Sequence, residues 1–239
     1  MIEFIGQTGS TNVDLAARLS GGEYLPESFW LVADRQIAGK GRLGRTWNDG
    51  LGNFMGSTVI HPARSDPPPA SLALVVGIAV HEAVRRTIGG AAGAEPMLKW
   101  PNDILLDGAK LAGILLEMAS GSVVIGVGVN LVHSPAVEGR RTASLADIGV
   151  DANRDRFALT LAECLEQEAA RWRMGGLASL VRRWLAAAHP EGTALVVHPP
   201  GEQPLPGTFA GLSADGNLLL RLADGSQRLI HAGDVFLHE

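Results

Sequence analysis

"PNDILLDGAKLAGILLEMA" (residues 101–119) places two apolar segments on either side of Asp107–Gly108. An Asp-Gly pair between apolar segments is a strong signal for a two-residue turn, so this stretch predicts a β-hairpin. The apolar run "SVVIGVGVNL" (122–131) continues the predicted sheet. Upstream, "FWLVA" (29–33) and "NFMGSTVI" (53–60) are predicted as buried strands. Because hairpins and single strands occur in the same chain, we expect an α+β fold with a mixed β-sheet flanked by helices.

Helical patterns, followed by a change to short apolar runs separated by turns, predict the domain organisation. Helices are predicted near residues 12–19, 70–88, 155–173 and 177–188, and His189–Pro190 breaks the last of them. From Glu191 onward, short apolar runs alternate with turns that contain Pro, Gly and Asp. This pattern is typical of a small barrel-like β module. We therefore expect a larger domain at residues 1–189 and a small β domain at residues 190–239.

Composition excludes several classes of protein. The formal net charge of the 239 residues is -5, so a general affinity for nucleic acid is not expected. The single cysteine, Cys164, excludes a disulfide framework and argues against a thiolate metal cluster. The N-terminus lacks the pattern of a secretory signal, and the longest apolar run is interrupted by His81 and Glu82 and is too short to cross a bilayer. The sequence therefore predicts a cytoplasmic protein without a membrane partner.

The segment "GKGRLGRTW" (39–47) alternates three glycines with three cations. It matches the dinucleotide fingerprint G-x-G-x-x-G, but that motif needs a strand immediately before it and a helix at its end. Five residues separate it here from the predicted strand, and a turn-rich segment follows, so the dinucleotide-binding interpretation fails. A solvated basic loop and a loop that closes around phosphate remain open, the second because an arginine fork suits phosphate oxygens.

Two further motifs place polar residues at strand ends. In "KWPND" (99–103), Asp103 could bind magnesium, accept a proton or cap the turn, which is the common role of Asp at such places. Lys110, seven residues later, could be an edge charge that discourages aggregation, or a point charge for a carboxylate or phosphate. In "GVGVN" (126–130), glycines weaken a strand unless something needs the space, and Asn130 carries the donor and acceptor that an adenine edge requires.

Taken together, these motifs resemble, in order and spacing, the catalytic domain of biotin–protein ligases. The resemblance rests on "GSTN", "QIAGKGRLGRTW", "KWPND", "KLAGILLE" and "GVGVN", and extends to "TASLADIG" and the C-terminal "HAGDVFLHE". It implies the class II synthetase-like fold of biotin and lipoate ligases, with a small C-terminal SH3-like β-barrel. Lys40 and Leu43 depart from the family loop, in which arginine is usual at the first of these positions. Because "GSTN" begins at residue 9, the resemblance is to the short form that lacks an N-terminal DNA-binding repressor domain.

The resemblance implies an ATP-dependent reaction in two steps. Biotin is activated as biotinyl-5′-AMP and is then transferred to a lysine of the biotin carboxyl carrier protein. The implied catalytic residues are Lys110, Arg42 and Asp103, and Asp103 is also the candidate ligand for Mg²⁺. The implied biotin-binding residues are Ser10, Thr11, Asn12, Gln36, Lys40, Gly41, Arg42, Lys110 and Gly113. The implied ATP-binding residues are Arg42, Arg45, Trp47, Asn102, Lys110 and Asn130.

Two alternatives stay open at this stage. A lipoate–protein ligase would use the same adenylate chemistry, but the glycine-basic loop together with "KWPND" favours biotin. A catalytically silent homologue would bind biotin without forming the adenylate. The expected partner is the carrier protein of acetyl-CoA carboxylase or a related carboxylase. Family members often pair through the edge of the central sheet, so a homodimer is possible.

Overall fold

The computed structural model describes residues 1–48, 50–90 and 93–237. Its larger sheet has seven strands in the order β1-β2-β3-β7-β6-β5-β4. β1 and β2 are parallel and all other neighbours are antiparallel, which confirms the predicted mixed sheet. The strands are β1 (Ile2–Thr8), β2 (Trp30–Gln36), β3 (Phe54–Ile60), β4 (Pro96–Lys99), β5 (Asp103–Leu106), β6 (Ala109–Ala119) and β7 (Ser122–Val129).

The hairpin predicted at Asp107–Gly108 is present between β5 and β6. Both turn residues have positive φ angles, 49° and 73°, as the favoured two-residue hairpin turn requires. The preceding Trp100–Pro101 peptide bond is cis. β6 then pairs along its length with β7 and brings Gly113 opposite Gly128. The "KLAGILLE" and "GVGVN" motifs therefore lie side by side in the middle of the sheet.

Helices cover both faces of the sheet. α2 (Leu72–Ile88) and α3 (Arg154–Ala186) pack against each other on one face, in the main hydrophobic core. α1 (Thr11–Ser20) packs on the other face in a smaller apolar cluster. Trp30 and Val32 belong to the main core and Leu31 to the smaller cluster, because successive side chains of a strand point to opposite faces.

The long helix α3 contains the break that the sequence predicted between two helices. Gly176 inside it has a φ of 68° and a ψ of 175°, which are not helical angles. Glycine adopts this conformation without the steric cost of a Cβ. The two predicted helices are thus the two halves of α3. None of the helices in the described ranges is long and apolar enough to cross a membrane.

The C-terminal residues form a second, five-stranded antiparallel sheet in the order β11-β10-β9-β8-β12. Its strands are β8 (Ala194–His198), β9 (Leu205–Leu212), β10 (Leu218–Arg221), β11 (Gln227–Ile230) and β12 (Asp234–Leu237). The small β domain is therefore present, and in the described part β11 and β12 are the two ends of the row rather than partners that close a barrel. Leu195, Phe209 and Val235 belong to the same core cluster as α2 and α3, so one apolar core runs through both sheets.

Candidate active site

A cleft of about 410 Å³ opens over β6 and β7. The start of α1, the glycine-basic loop (residues 39–47), the segment 135–142 and the first residue of β12 form its walls. All the residues that the sequence analysis assigned to biotin, ATP, metal or catalysis line it: Ser10, Thr11, Asn12, Gln36, Lys40, Gly41, Arg42, Arg45, Trp47, Asn102, Asp103, Lys110, Gly113 and Asn130. Residues that are up to 120 positions apart in the sequence are thus brought to one place by the sheet.

One end of the cleft is a buried polar floor built from α1, β2 and β3. The side-chain oxygen Oε1 of Gln36 accepts from the Thr11 backbone N–H at 2.7 Å, and the Thr11 hydroxyl lies 3.0 Å from the same atom. The Ser57 hydroxyl lies 2.6 Å from the Thr11 hydroxyl and donates to the side-chain oxygen Oδ1 of Asn12 at 2.6 Å. Since Thr11, Asn12 and Ser57 are all buried, these groups form a fixed polar surface. Such a surface suits a small polar head group.

Glycines in the central strands make room for the side chains above them. A Cβ on Gly128 would lie 2.2 Å from Cε2 of Trp47, and a Cβ on Gly113 would lie 2.9 Å from Cζ3 of the same ring. A Cβ on Gly126 would lie 2.4 Å from Oδ1 of Asn12. This explains why glycines interrupt β6 and β7, where they weaken a strand unless close approach requires them. The indole of Trp47 rests on the Gly113–Gly128 pair, with the Lys110 amine 5.7 Å from its ring centroid.

The glycine-basic loop folds back on itself and is joined to the C-terminal sheet. The Trp47 N–H donates to the Gly39 carbonyl, and the Gly41 N–H donates to the Arg45 carbonyl. Arg42 donates to the Asn102 side-chain oxygen at 2.9 Å, and Arg45 forms an ion pair with Asp234 at 2.5 Å. Burial lowers the pKa of Arg42, which nearby Asp234 and Asp103 oppose. Two of the loop's three cations are thus directed into the cleft by contacts with other elements.

Lys40, the third cation, is exposed, and its backbone forms an isolated bridge with Thr46 across the loop. It lines the cleft, but its side chain is less enclosed than those of Arg42 and Arg45. The assignment of Lys40 to biotin stays a prediction.

Asp103 is buried between two lysines. Its Oδ1 lies 2.6 Å from the Lys110 amine and its Oδ2 lies 3.1 Å from the Lys99 amine. Burial raises the pKa of Asp103, but the two ammonium groups outweigh this and hold it at about 2. Burial lowers the pKa of Lys110, and Asp103 counteracts part of that effect. The interpretation of Lys110 as a charge on a sheet edge is wrong, because β6 lies between β5 and β7.

The two lysines around Asp103 argue against the prediction that this carboxylate binds Mg²⁺. Both carboxylate oxygens already contact an ammonium group, so an added cation would face two positive charges at short range. Among the described residues, no group of three His, Cys, Asp or Glu side chains could hold a metal ion. Asp103 by itself is a poor fit for Mg²⁺, which also prefers phosphate oxygens and water to a protein cage. Its pKa of about 2 also makes it a weak base at neutral pH.

Asn130 follows β7, and most of its hydrogen-bonding capacity is used within the protein. Its Nδ2 donates to the Ala143 carbonyl at 3.0 Å and lies 3.5 Å from the Lys110 carbonyl. Its Oδ1 is buried and has no hydrogen-bond partner among the described residues. A buried acceptor without a partner is costly, so this oxygen is suited to accept from a donor on a ligand.

Several residues of the site were missed by the sequence analysis. Ser57, Arg140 and Asp234 line the cleft, and Lys99 completes the cluster around Asp103. Ser57 carries a signal that could have been used, because it is a small polar residue inside an apolar strand. Asp234 and Arg140 have no local signal, since their place in the cleft depends on how distant segments pack.

Comparisons with known proteins show the family to which the chain is similar. The model of the biotin/lipoate A/B protein ligase family matches residues 7–131, and that of the biotin protein ligase C terminal domain matches residues 200–238. A biotin–[acetyl-CoA-carboxylase] ligase of Paracoccus denitrificans is 36% identical over 97% of this chain and 98% of its own. The Mycobacterium tuberculosis protein of the same name is 36% identical over 98% of this chain and 88% of its own.

The fold is shared with a solved structure. The biotin protein ligase of Aquifex aeolicus, solved in complex with biotin and ATP, superposes with a TM-score of 0.85 over 99% of both chains, at 24% identity. The chain therefore belongs to the biotin/lipoate A/B protein ligase family, among the biotin–protein ligases.

Proposed function

We propose that this protein is an ATP-dependent biotin–protein ligase that activates biotin as biotinyl-5′-AMP and transfers it to a lysine of a biotin carboxyl carrier protein. The observation that carries the proposal is one cleft in which a buried polar floor adjoins a cluster of cations. Among the described lining residues there are five lysine or arginine side chains and three carboxylates. This excess of positive charge suits a polyanionic nucleotide, and the polar floor suits the uncharged ureido ring of biotin.

We assign the floor to the head group of biotin. Ser10, Thr11 and Gln36 are all buried, and they surround the place where the ureido ring would sit. A site whose buried polar groups pair with the ligand rejects an analogue that leaves them unpaired. This arrangement supports biotin over lipoate, whose dithiolane ring has no N–H or carbonyl to offer.

The first step joins two anions and therefore needs positive charge. An oxygen of the biotin carboxylate attacks the α-phosphorus of ATP, a new O–P bond forms, and the bond to the β-phosphate breaks with release of pyrophosphate. We propose that Arg42 and Lys110 neutralise the approaching carboxylate and the α-phosphate, and that Arg45 serves the leaving phosphates. Trp47 and Asn130 hold the adenine; the free Oδ1 of Asn130 is matched to its amino group.

The second step transfers the biotinyl group. The lysine amine of the carrier attacks the carbonyl carbon of the mixed anhydride, the bond to the phosphate oxygen breaks, and AMP leaves. Lys110 stabilises the charge on that phosphate, and Asp103 keeps Lys110 in place and protonated. The acyl phosphate is sensitive to water, so we propose that the glycine-basic loop closes over it.

The proposal also covers the metal, the protein partner and the assembly of this ligase. Mg²⁺ would enter with the nucleotide phosphates rather than on a protein cage. The carrier protein of acetyl-CoA carboxylase is the proposed partner, since relatives are named as ligases for that enzyme. β1 and β4 are the two end strands of the larger sheet among the described strands, and we propose that two copies pair through the β1 edge. We further propose the domain boundary at 189/190, a cytoplasmic location and no role for nucleic acid.

The intact mass of an apo carrier domain tests the proposal. The protein is incubated with the carrier, Mg-ATP, and either biotin or lipoate. We expect a gain of one biotin that requires ATP and that does not occur with lipoate. A lipoyl gain would reassign the protein to lipoate ligation and contradict the assignment of the floor. Binding of biotin without adenylate or mass gain would identify a silent homologue.

A further inference from the structure

Glu117, the last residue of the "KLAGILLE" stretch, has no part in the mechanism above. It lies on β6, and its Oε2 accepts a hydrogen bond from Nδ2 of Asn12 at 2.8 Å. Asn12 is buried at the start of α1, where the glycine at position 126 makes room for its amide. The charged side chain of Glu117 thus contacts the polar floor through Asn12 without being among the residues that line the cleft.

The contact fixes which way the Asn12 amide faces. An ionised carboxylate can only accept hydrogen bonds, so the amide nitrogen of Asn12 must face Glu117. The carbonyl oxygen of Asn12 then faces Ser57, at 2.6 Å from its hydroxyl. Because a carbonyl oxygen can only accept, the one hydroxyl proton of Ser57 is directed at Asn12.

The same argument extends to Thr11. The Ser57 oxygen, having used its proton, can only accept from the Thr11 hydroxyl 2.6 Å away. The single Thr11 proton has two acceptors within reach, Ser57 and the Gln36 oxygen at 3.0 Å, and both belong to the protein. Whichever it chooses, neither hydroxyl proton is left for a ligand. The two hydroxyls therefore offer only lone pairs to the cleft.

We propose that Glu117 is a positioning residue: through Asn12 and Ser57 it fixes the hydroxyls of Ser57 and Thr11 as acceptors, so that this part of the floor selects a head group that donates N–H bonds. The inference rests on the proposed function, because the ureido ring of biotin carries two such N–H groups. Glu117 acts without touching the ligand, and its role is to set the direction of the protons in the chain of hydrogen bonds.

Substitutions that reverse or retain this direction test the proposal. In Glu117→Lys a donor-only group faces Asn12, so the amide turns over and its nitrogen donates to Ser57. The Ser57 proton is then released toward the Thr11 oxygen or the cleft, and a lone pair that the wild type offers to the ligand is lost. We expect the Kd of biotin, measured by calorimetry without ATP, to rise about tenfold. Glu117→Gln can still accept through its own carbonyl oxygen and should rescue most of the affinity. The added positive charge would by itself favour the biotin carboxylate, so weakening cannot come from the charge.

A double-mutant cycle separates action through Ser57 from a direct effect. In a Ser57→Ala background the chain is already broken, so Glu117→Lys should cause less than a twofold further change in Kd. At saturating biotin, Glu117→Lys should form the adenylate at a rate within about twofold of the wild-type value. The substitution leaves unchanged Arg42 and Lys110, the cations assigned to the carboxylate and the α-phosphate. Glu3→Lys is the matched control, because it makes the same change of charge at another hydrogen-bonded carboxylate on a strand, β1.

Two results would overturn the inference. One is a Kd of Glu117→Lys within twofold of wild type in a folded protein, and the other is a loss of the same size with and without Ser57. The side-chain amide resonances of Asn12 in the free protein give a readout that needs no biotin, and they should shift in Glu117→Lys but not in the control. If wild-type protein binds no biotin, the proposed function fails, while these resonances still test the proton direction.

Discussion

At the scale of the residue, the cluster of Asp103, Lys99 and Lys110 shows how burial and charge act against each other. An isolated buried carboxylate would take up a proton, but two ammonium groups within 3.1 Å keep Asp103 ionised. In return, Asp103 supports the charge of Lys110 against the burial that lowers the pKa of this amine. The carboxylate is therefore best understood as the counter-ion that helps to keep the Lys110 amine charged.

We expect Asp103→Asn to reduce the free energy of unfolding at pH 7 by roughly 2 kcal/mol, the value of a pKa held at about 2 instead of 3.8. The folded-state pKa lies below the unfolded value, so this stabilisation is present above pH 3.8 and is lost as the pH falls toward 2. Denaturant unfolding of both proteins at pH 7 and at low pH measures it. Equal stability at pH 7, or a gap that widens in acid, would contradict the argument.

The same substitution has a kinetic consequence at Lys110. Without Asp103, the pKa of Lys110 falls further, because burial then acts with less opposition. The alkaline limb of the pH profile for adenylate formation should therefore move to lower pH in Asp103→Asn. An unshifted limb would mean that Lys110 is not the titrating group.

At the scale of the element, glycines in β6 and β7 leave room for a loop residue to lie directly on the two strands. Gly113 and Gly128 are directly opposite each other, and Trp47 of the glycine-basic loop lies over them. The same loop carries Arg42 and Arg45, which contacts with Asn102 and Asp234 direct into the cleft. The two strand glycines thus make room for the tryptophan of a loop to which they do not belong.

Gly128→Ala should displace Trp47, since its Cβ would lie 2.2 Å from the ring. We expect adenylate formation, followed as pyrophosphate release, to fall by about tenfold or more, because misplaced groups cost large factors in rate. The melting temperature should change little, since Trp47 is half-buried and belongs to a loop rather than to the hydrophobic core. Gly6→Ala on β1 is the control: no described heavy atom lies within 4 Å of its Cβ. Full activity of Gly128→Ala would show that adenylate formation does not depend on the position of Trp47 over Gly113 and Gly128.

At the scale of the whole molecule, the C-terminal sheet reaches into the active site through one short segment. The Gly233 carbonyl lies 3.5 Å from Arg42, Asp234 pairs with Arg45, and the Val235 carbonyl accepts from Lys99 at 3.0 Å. The apolar core continues between the two sheets and includes Val235 of this segment. The small β domain therefore positions three cations that belong to the large domain.

Asp234→Ala should raise the KM for ATP about three- to tenfold and leave the KM for biotin unchanged, because Arg45 loses the partner that directs it. Stability should fall by less than about 1 kcal/mol, since the ion pair is partly exposed. Steady-state kinetics with each substrate varied separately distinguishes the two effects. Glu191→Ala removes an exposed ion pair with Arg221 in the same region and serves as the control. A change in the KM for biotin alone would refute the assignment of Arg45 to the phosphates.

Much of the secondary structure, and many of the residues that line the cleft, could be predicted from the sequence. The Asp107–Gly108 turn, the break in α3 and the motif residues were all recognisable, because turn formation, hydrophobic periodicity and motif spacing are properties of short segments. The glycines of "GVGVN" were flagged as unusual, but the side chains that need their space come from residues 12 and 47. No short-range pattern carries that information.

Only the tertiary structure shows which groups surround each residue of the cleft. Asp103 is a counter-ion and a poor fit for a metal ion, because the amines of Lys99 and Lys110 both contact its carboxylate. Asp234 entered the cleft because a second sheet packs on the same core. Charges and hydrogen bonds depend on distances of a few ångströms between segments far apart in the chain, and only packing sets those distances.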